Sequence, residues 1–165
     1  NRVQEAKLKF EKIKEFNNAI KLHLTGPLQT NKVNNALKLF DVFHTIDREK
    51  LLKELSKYPE VLKKKSFFVQ INTGKEISKS GILPEDTKSF LELCKSYGVN
   101  NIEGLMCIPP FNESPEEHFE LLNDLANQCN LNQRSMGMSK DFNLAVKCGA
   151  THVRVGSGIF GSRST

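Results

Sequence analysis

The chain has 165 residues, a formal net charge of +5, 38% hydrophobic residues and 26% charged residues. These values are typical of a globular protein with a sizeable core, and we expect one domain over residues 1–165. No apolar run approaches the roughly 20 residues that a membrane helix needs, and no signal-peptide pattern is present, so no membrane contact is expected. The four cysteines form no CxxC pair. We therefore expect reduced thiols in a cytoplasmic protein, without a disulfide framework or a metal site.

The positive charge is carried mainly by lysines spread over predicted helical faces. Lys63–Lys65 is the only tight basic run, and it lacks interleaved aromatic residues. It is expected to be a solvated helix end, so no nucleic-acid partner is predicted. The chain begins at Asn1 without a methionine and enters a helical pattern at once. We therefore expect that it continues a domain whose first part precedes Asn1.

Hydrophobic periodicity predicts one helix followed by alternating strands and helices. The spacing of Val3, Ala6, Phe10 and Ile13 predicts an amphipathic helix over residues 2–16. Short apolar segments that end at glycine, proline or polar residues predict six strands. They cover residues 19–25, 40–45, 66–72, 102–108, 135–139 and 151–155.

Capping residues predict where the later helices begin and end. Ser114-Pro115-Glu116-Glu117 is a capping box with proline at the first helical position, so a helix is expected to begin there. Ser139 is expected to be the N-cap of a helix that Gly149 ends. Three further helices are expected: one marked by Val33, Ala36 and Leu37, one with Asp47 as its N-cap, and one from Pro84 to Gly98.

Strands separated by helices imply a parallel sheet with right-handed crossovers. Two architectures fit, a doubly wound open sheet and a (β/α)8 TIM barrel. Polar or small residues at nearly every strand end favour the barrel, because barrel active sites are assembled from such ends. The prediction is therefore an α/β fold of the (β/α)8 type, reduced to about six βα units with the first two strands missing before Asn1.

The last two predicted strand ends are candidates for an anion site. Ser139 follows Gly137, which would allow close backbone approach, and Gly156-Ser157-Gly158 follows the last strand. Each segment taken alone fits an ordinary helix cap or turn. In a barrel, however, the loops after the last two strands are the usual phosphate site. The pair of segments therefore predicts a phosphate site.

Several other residues are candidates to line the same site. Arg154 lies two residues before Gly156 and is expected to be a fixed donor to a phosphate or a ring nitrogen. Asn72 is the last residue of the third predicted strand, and Met106 and Met138 are core residues that could pack against a flat ring. His23 and His44 are expected to be satisfied core histidines. The segment from Gly74 to Gly81 lacks the P-loop spacing, so a flexible loop closing over a ligand is expected.

Several segments, in order, resemble the motifs of the pyridoxal phosphate homeostasis proteins. They are NRVQEAKLK, HLTGPLQTNK, FHTID, VQINTGKEISKSG, EGLMCIPP, SMGMSKDF and THVRVGSGIFGSR. That family has the alanine racemase N-terminal domain fold. The resemblance implies a single-domain barrel that holds pyridoxal 5′-phosphate as a Schiff base without established turnover. It implies a role in buffering the cofactor and delivering it to apoenzymes.

The resemblance also assigns roles to particular residues. Asn1 matches the asparagine that closes the family's FGEN motif near the cofactor. Ser139 and the turn beginning at Gly156 match the phosphate-binding positions, and Arg154 matches the arginine that faces the pyridine nitrogen in related racemases. Ser135 and Ser157 complete the expected cofactor-binding set. The Schiff-base lysine is expected before Asn1, so no catalytic residue is assigned.

Two other functions remain open at this point. A pyridoxal-phosphate-dependent amino-acid racemase of related fold would need a second acid/base group opposite the lysine. A barrel enzyme for a phosphorylated sugar would use the same phosphate site without a Schiff base.

Overall fold

The computed structural model describes Ala6, Phe10, Asn17 and residues 19–161. The helix predicted over residues 2–16 lies outside these residues except for Ala6 and Phe10. Both are helical; Ala6 is buried, and Phe10 is half-buried against the core. In the described ranges, no helix combines the length and the apolar character that crossing a membrane requires.

Six parallel strands form one sheet in chain order. All six fall within predicted strand segments or overlap them. The strands are β1 (His23–Leu24), β2 (Val42–Ile46), β3 (Ser66–Ile71), β4 (Ile102–Cys107), β5 (Gln133–Met138) and β6 (His152–Arg154).

Helices connect the strands, as the alternating pattern predicts. They are α1 (Val33–Leu39), α2 (Glu49–Leu55), α3 (Pro59–Leu62), α4 (Thr87–Ser96), α5 (Pro115–Gln128), α6 (Phe142–Lys147) and α7 (Ser157–Phe160), with 3-10 turns at Thr30–Lys32 and Pro84–Asp86. The start of α5 is confirmed, because Ser114 is its N-cap and Pro115 its first residue. The positive φ angles of Gly98 (76°) and Gly149 (92°) confirm the predicted ends of α4 and α6.

The strand order distinguishes between the two predicted architectures. A doubly wound sheet reverses its order at a switch point, whereas here every strand pairs with the next one along the chain. Each connection is a right-handed crossover, and the strand order always advances in the same direction. All connecting helices therefore lie on the same face of the sheet. The sheet also curls: the rings of His23 on β1 and His152 on β6 are 5.9 Å apart, whereas edge strands of a flat six-stranded sheet would be about 24 Å apart. The barrel-type prediction is confirmed.

The curled sheet has an outer face covered by helices and a narrow inner face. The main core lies outside and includes fully buried Phe67, Val69 and Leu105 together with side chains from all the longer helices. The inner face holds a separate small apolar cluster of Val42, Phe68 and Met106. The side chains of consecutive residues on one strand therefore lie in different environments.

Two predicted N-caps are wrong by one or two residues. The N-cap of α2 is Arg48, not Asp47, and the Asp47 carboxylate pairs with the Arg48 guanidinium at 2.5 Å. The N-cap of α6 is Asp141, whose Oδ1 accepts the Met138 N–H at 2.6 Å. Ser139 lies in the preceding turn, because its hydroxyl accepts hydrogen bonds from the loop after β6 instead.

Gly137 is required by the packing of α6 on β5. Its φ is +90°, and a Cβ placed there would lie 2.5 Å from the Cβ of Ala145 on α6. The predicted close approach of a ligand to its backbone stays a prediction.

Candidate functional site

A cavity of about 540 Å³ opens on the inner side of the curled sheet toward the carboxyl ends of the strands. This volume lies within the roughly 300–1,000 Å³ range of small-molecule sites. Its walls come from β1, β2, β5 and β6 and from the segments that follow β1, β4 and β6. The lining residues are His23, Thr25, His44, Ile108, Met138, His152, Val153, Arg154, Val155 and Gly156.

Within the part of the chain that the structure describes, Arg154 is the only cation that lines the cavity. It is half-buried, and its guanidinium is held from behind by two hydrogen bonds. Nη1 donates to Ser135 Oγ and Nη2 to the carbonyl oxygen of Cys107, both at 2.8 Å. Burial lowers the pKa of Arg154, but a guanidinium stays charged at neutral pH. The predicted role of a fixed donor is consistent with this geometry.

Ser135 connects Arg154 to a pair of histidines. It is fully buried, and its Oγ lies 2.8 Å from His44 Nδ1. His44 Nε2 in turn lies 2.9 Å from His23 Nδ1. His44 is also buried and stacks on Phe68, with ring centroids 4.4 Å apart and an interplanar angle of 5°. His44 is a buried, hydrogen-bonded core residue, as expected. His23 differs from the expectation, because it is exposed on the cavity wall.

His152 was not expected at the site from the sequence. Its ring contacts those of His23, His44 and Phe68, with centroids 5.2–5.9 Å apart. The available signal was the alternation of strand positions, since His152 and Arg154 are two residues apart on β6 and face the same side.

The three cavity histidines are neutral at pH 7. Burial and the neighbouring His23, His152 and Arg154 lower the pKa of His44 to about 3. Burial also lowers the pKa values of His23 and His152. Among the described residues no carboxylate lines the cavity, so the charge that these residues give it comes from Arg154 and is positive. Such a wall favours an anionic ligand.

The predicted phosphate segments come together beside the cavity. The N–H groups of Gly156 and Gly158 donate to the same atom, Ser139 Oγ, at 3.2 and 3.1 Å. Two backbone amides thus converge on one oxygen, as they do on an anionic oxygen. Gly156 also lines the cavity, and the neighbouring Ser157 is exposed at the start of α7.

The remaining predicted site residues lie at different depths. Met138 lines the cavity and is 40% exposed, whereas Met106 is fully buried in the inner apolar cluster. Asn72 does not line the cavity: its side-chain amide donates to the Glu76 carbonyl and accepts the Glu76 N–H. The Asn72 side chain therefore closes the loop of residues 72–76. Asn1 lies outside the described residues.

The loop after β3 is anchored at both ends. The Asn72 N–H donates to the Ile82 carbonyl at 2.9 Å, and the Ile82 N–H donates to the Gln70 carbonyl at 2.8 Å. Between these anchors Ile77 is fully exposed. Closure of this loop over a ligand remains a prediction.

Three comparisons place this fold and site among known proteins. A profile of the alanine racemase N-terminal domain matches residues 1–164. The pyridoxal phosphate homeostasis protein of Aquifex aeolicus is 35% identical over 175 residues, covering 99% of this chain and 75% of that protein. The structure of PipY from Synechococcus elongatus with PLP bound is 32% identical, with a TM-score of 0.82, covering 98% of this chain and 79% of that chain.

A more distant structure shows how widely the fold is shared. Alanine racemase from Clostridium difficile covers 99% of this chain with a TM-score of 0.71, at 14% identity, and the match spans 46% of the racemase. At that identity the likeness concerns the fold alone. The profile match and the identity to the Aquifex protein are sufficient to assign the family: the chain belongs to the pyridoxal phosphate homeostasis proteins, which share the alanine racemase N-terminal domain fold.

Proposed function

We propose that this chain binds pyridoxal 5′-phosphate and acts as a carrier in cofactor homeostasis. The observation that carries the proposal is the convergence of the Gly156 and Gly158 amides on one oxygen. It lies beside a cavity in which Arg154 is the only cation among the described lining residues. This arrangement offers a phosphate site and a fixed donor on one wall. The bound cofactor would supply an aldehyde that reacts with amines.

The chemistry of the lining residues fits this ligand. The phosphate would lie beside Ser139, Gly156 and Ser157, next to the hydroxyl on which the two amides converge. Arg154 would donate to the ring nitrogen, and Met138 would contact the flat ring. Support comes from the names of relatives as pyridoxal phosphate homeostasis proteins and from the PLP-bound structure of PipY.

The other predicted site residues would have supporting or separate roles. Ser135 holds Arg154 from behind, and Met106 fills the inner apolar cluster. Asn1 is proposed near the cofactor on the resemblance of its motif. A direct role for Asn72 has no support from the cavity lining, because its amide is engaged by the Glu76 backbone.

We propose a carrier rather than an enzyme, and the properties of His44 are consistent with that choice. General acid–base catalysis needs a group whose pKa lies near the working pH. His44 has a pKa of about 3, and both of its ring nitrogens already have partners. The proposed partners are pyridoxal-phosphate-dependent apoenzymes in the cytoplasm. Buried free thiols at Cys94 and Cys107, whose pKa values burial raises to about 12, fit a reducing compartment.

Calorimetric titration with three ligands tests the proposal. Pyridoxal 5′-phosphate reacts with surface lysines, so 4′-deoxypyridoxine 5′-phosphate, which lacks the aldehyde, is the decisive probe. Pyridoxal, which lacks the phosphate, is the matched control. We expect saturable one-to-one binding of both phosphates and at least about tenfold weaker binding of pyridoxal.

Two outcomes would contradict the proposal. Equal affinity for the deoxy phosphate and for pyridoxal would remove the phosphate site. Turnover of L-alanine to D-alanine by the chain loaded with pyridoxal 5′-phosphate would replace the carrier role with that of a racemase.

A further inference from the structure

A continuous hydrogen-bonded chain links two walls of the cavity. It runs from Arg154 Nη1 to Ser135 Oγ, from Ser135 Oγ to His44 Nδ1, and from His44 Nε2 to His23 Nδ1, with distances of 2.8, 2.8 and 2.9 Å. Its end residues, Arg154 and His23, line the cavity, whereas Ser135 in the middle is fully buried. These three hydrogen bonds therefore connect β6 to β1 through β5 and β2.

The direction of each hydrogen bond follows from the number of protons available. Arg154 can only donate, so Ser135 Oγ accepts from it. The Ser135 hydroxyl then has its own proton to donate, and the only acceptor recorded for it among the described residues is His44 Nδ1. His44 is neutral and must carry its proton on Nε2, which donates to His23 Nδ1. His23 is left with its proton on Nε2.

The reverse direction is unfavourable for a specific reason. It would require His23 Nδ1 to donate to His44 Nε2 and His44 Nδ1 to donate to Ser135. Ser135 Oγ would then accept twice, and its hydroxyl proton would have no acceptor among the partners recorded for it. Because Ser135 is fully buried, the hydroxyl would bear the full cost of an unsatisfied donor.

His152 provides an internal contrast. Its Nδ1 lies 2.9 Å from Thr151 Oγ1, and Thr151 Oγ1 already donates to the Arg134 carbonyl and accepts the Arg134 N–H. Oγ1 can therefore serve His152 as a second acceptor, which places the His152 proton on Nδ1. Two histidines whose rings lie 5.9 Å apart thus carry opposite tautomers for separate reasons.

We propose that the hydrogen-bonded residues Ser135, His44 and His23 form an orienting relay. The relay holds Arg154 in place and fixes His23 as the Nε2–H tautomer. Both walls of the cavity then favour hydrogen-bond acceptors on the ligand. The statement about the ligand rests on the proposed function, since it concerns the same cavity. Ser135 and His44 are positioning residues in this account, because they act through Arg154 and His23. A ligand that offered a donor to His23 would require the Ser135–His44 and His44–His23 hydrogen bonds to reverse.

Nitrogen NMR of the histidine rings in the ligand-free chain tests the relay. With ¹⁵N-labelled histidine, long-range proton–nitrogen correlations distinguish the two tautomers of each ring. We expect Nε2–H for His23 and His44, and Nδ1–H for His152. The result that would overturn the proposal is an Nδ1–H tautomer at His44 or His23 in the unsubstituted chain.

Two matched variants sharpen the test. Ser135→Ala removes the proton donor of the relay and should convert His44 and His23 to mixed tautomers, while His152 keeps Nδ1–H. Ser96→Ala removes an exposed hydroxyl that bonds only its own helix backbone, and all signals should stay unchanged. Unchanged tautomers in Ser135→Ala would contradict the relay.

Titration with 4′-deoxypyridoxine 5′-phosphate separates the two proposals. Ser135→Ala should bind it about tenfold more weakly, because Arg154 loses an anchor, and Ser96→Ala should bind it like the unsubstituted chain. Unaltered affinity in Ser135→Ala would overturn the positioning role. If the unsubstituted chain shows the expected tautomers but binds no phosphate ligand, the proposed function fails and the relay stands.

Discussion

The outer and inner faces of the same six strands are built on opposite principles. On the outer face, Phe67 and Leu105 are fully buried in the apolar core that the helices cover. On the inner face, His44, Ser135 and Arg154 form a hydrogen-bonded chain next to a small apolar cluster. Parallel strands covered on both faces are normally apolar throughout. The inner face departs from that rule at the positions that meet the cavity.

This difference shows how one strand can serve two purposes. Side chains alternate between faces, so Phe43 and His44 are neighbours in sequence but pack in the outer core and on the inner face, respectively. The polar groups of the relay are tolerated because each has a partner. We therefore expect substitutions on the outer face to change stability and those on the inner face to change binding and pH dependence.

The largest expected effect lies on the outer face. Phe67→Ala should lower the free energy of unfolding by about 3–5 kcal/mol, since it removes a fully buried ring from the core. Denaturant unfolding measures this loss. Val61→Ala on α3, where Val61 is 38% exposed, is the control and should change stability by about 0.5 kcal/mol or less. A loss below about 1 kcal/mol for Phe67→Ala would contradict the division between the faces.

The pH dependence of stability should trace to the inner face. His44 has a folded-state pKa of about 3, below its unfolded value of about 6.5. The unfolded chain therefore binds a proton that the folded chain does not, and stability is lost as pH falls from about 6.5 toward 3.

Between those pH values His44 contributes a slope of up to about 1.4 kcal/mol per pH unit. His44→Gln should remove that slope, while the smaller contributions of His23 and His152 keep the same sign. Unfolding free energies of the unsubstituted protein and of His44→Gln, measured from pH 7 to pH 4, test this expectation. Identical slopes in the two proteins would show that His44 titrates normally.

Arg154→Lys should weaken binding without a comparable loss of stability. A lysine keeps the charge but cannot donate to Ser135, Cys107 and a ligand in the fixed geometry of a guanidinium. We expect about a tenfold weaker affinity for 4′-deoxypyridoxine 5′-phosphate. Calorimetry measures the affinity, and thermal unfolding of both proteins is the control. Retained affinity would remove Arg154 from the ligand site.

Ser139→Ala should affect the phosphate specifically. The amides of Gly156 and Gly158 lose the hydroxyl on which they converge, so the loop geometry relaxes. We expect an affinity loss of about threefold to tenfold for the phosphate ligand and no loss for pyridoxal. An equal loss for both ligands would show that Ser139 does not recognise the phosphate.

The smallest expected effect concerns Asn72. Its amide closes the loop through Glu76, so Asn72→Ala should cost about 1 kcal/mol of stability and change ligand affinity by less than about twofold. Calorimetry and denaturant unfolding check both values. A loss of affinity matching that of Arg154→Lys would restore Asn72 to the cofactor site.

Local sequence signals predicted most of the fold. Alternation and apolar runs located the six strands because those signals depend on near neighbours, and the capping box at Ser114 located α5. The N-cap of α6 was misplaced because Ser139 and Asp141 are both good capping residues, and only tertiary contacts decide between them. The four-residue helix α7 has too short a periodic signal to be recognised.

The candidate site was predictable only in part, for the same physical reason. Ser139 and Gly156 follow neighbouring strands one βα unit apart, and Arg154 lies between them, so their proximity follows from local geometry. The bond between His44 and Ser135 joins residues 91 positions apart, and no local pattern encodes it. The relay requires the curl of the whole sheet, which brings β1 next to β6.

Amide NMR during titration with 4′-deoxypyridoxine 5′-phosphate is the most direct test of the central claim. Saturating shifts at Gly156 and Gly158, with matching changes at the Arg154 side chain, are the expected result, because these groups form the proposed phosphate and ring-nitrogen contacts. Saturating shifts at a distant basic surface such as Lys63–Lys65, with Gly156 and Gly158 unchanged, would contradict the proposed site.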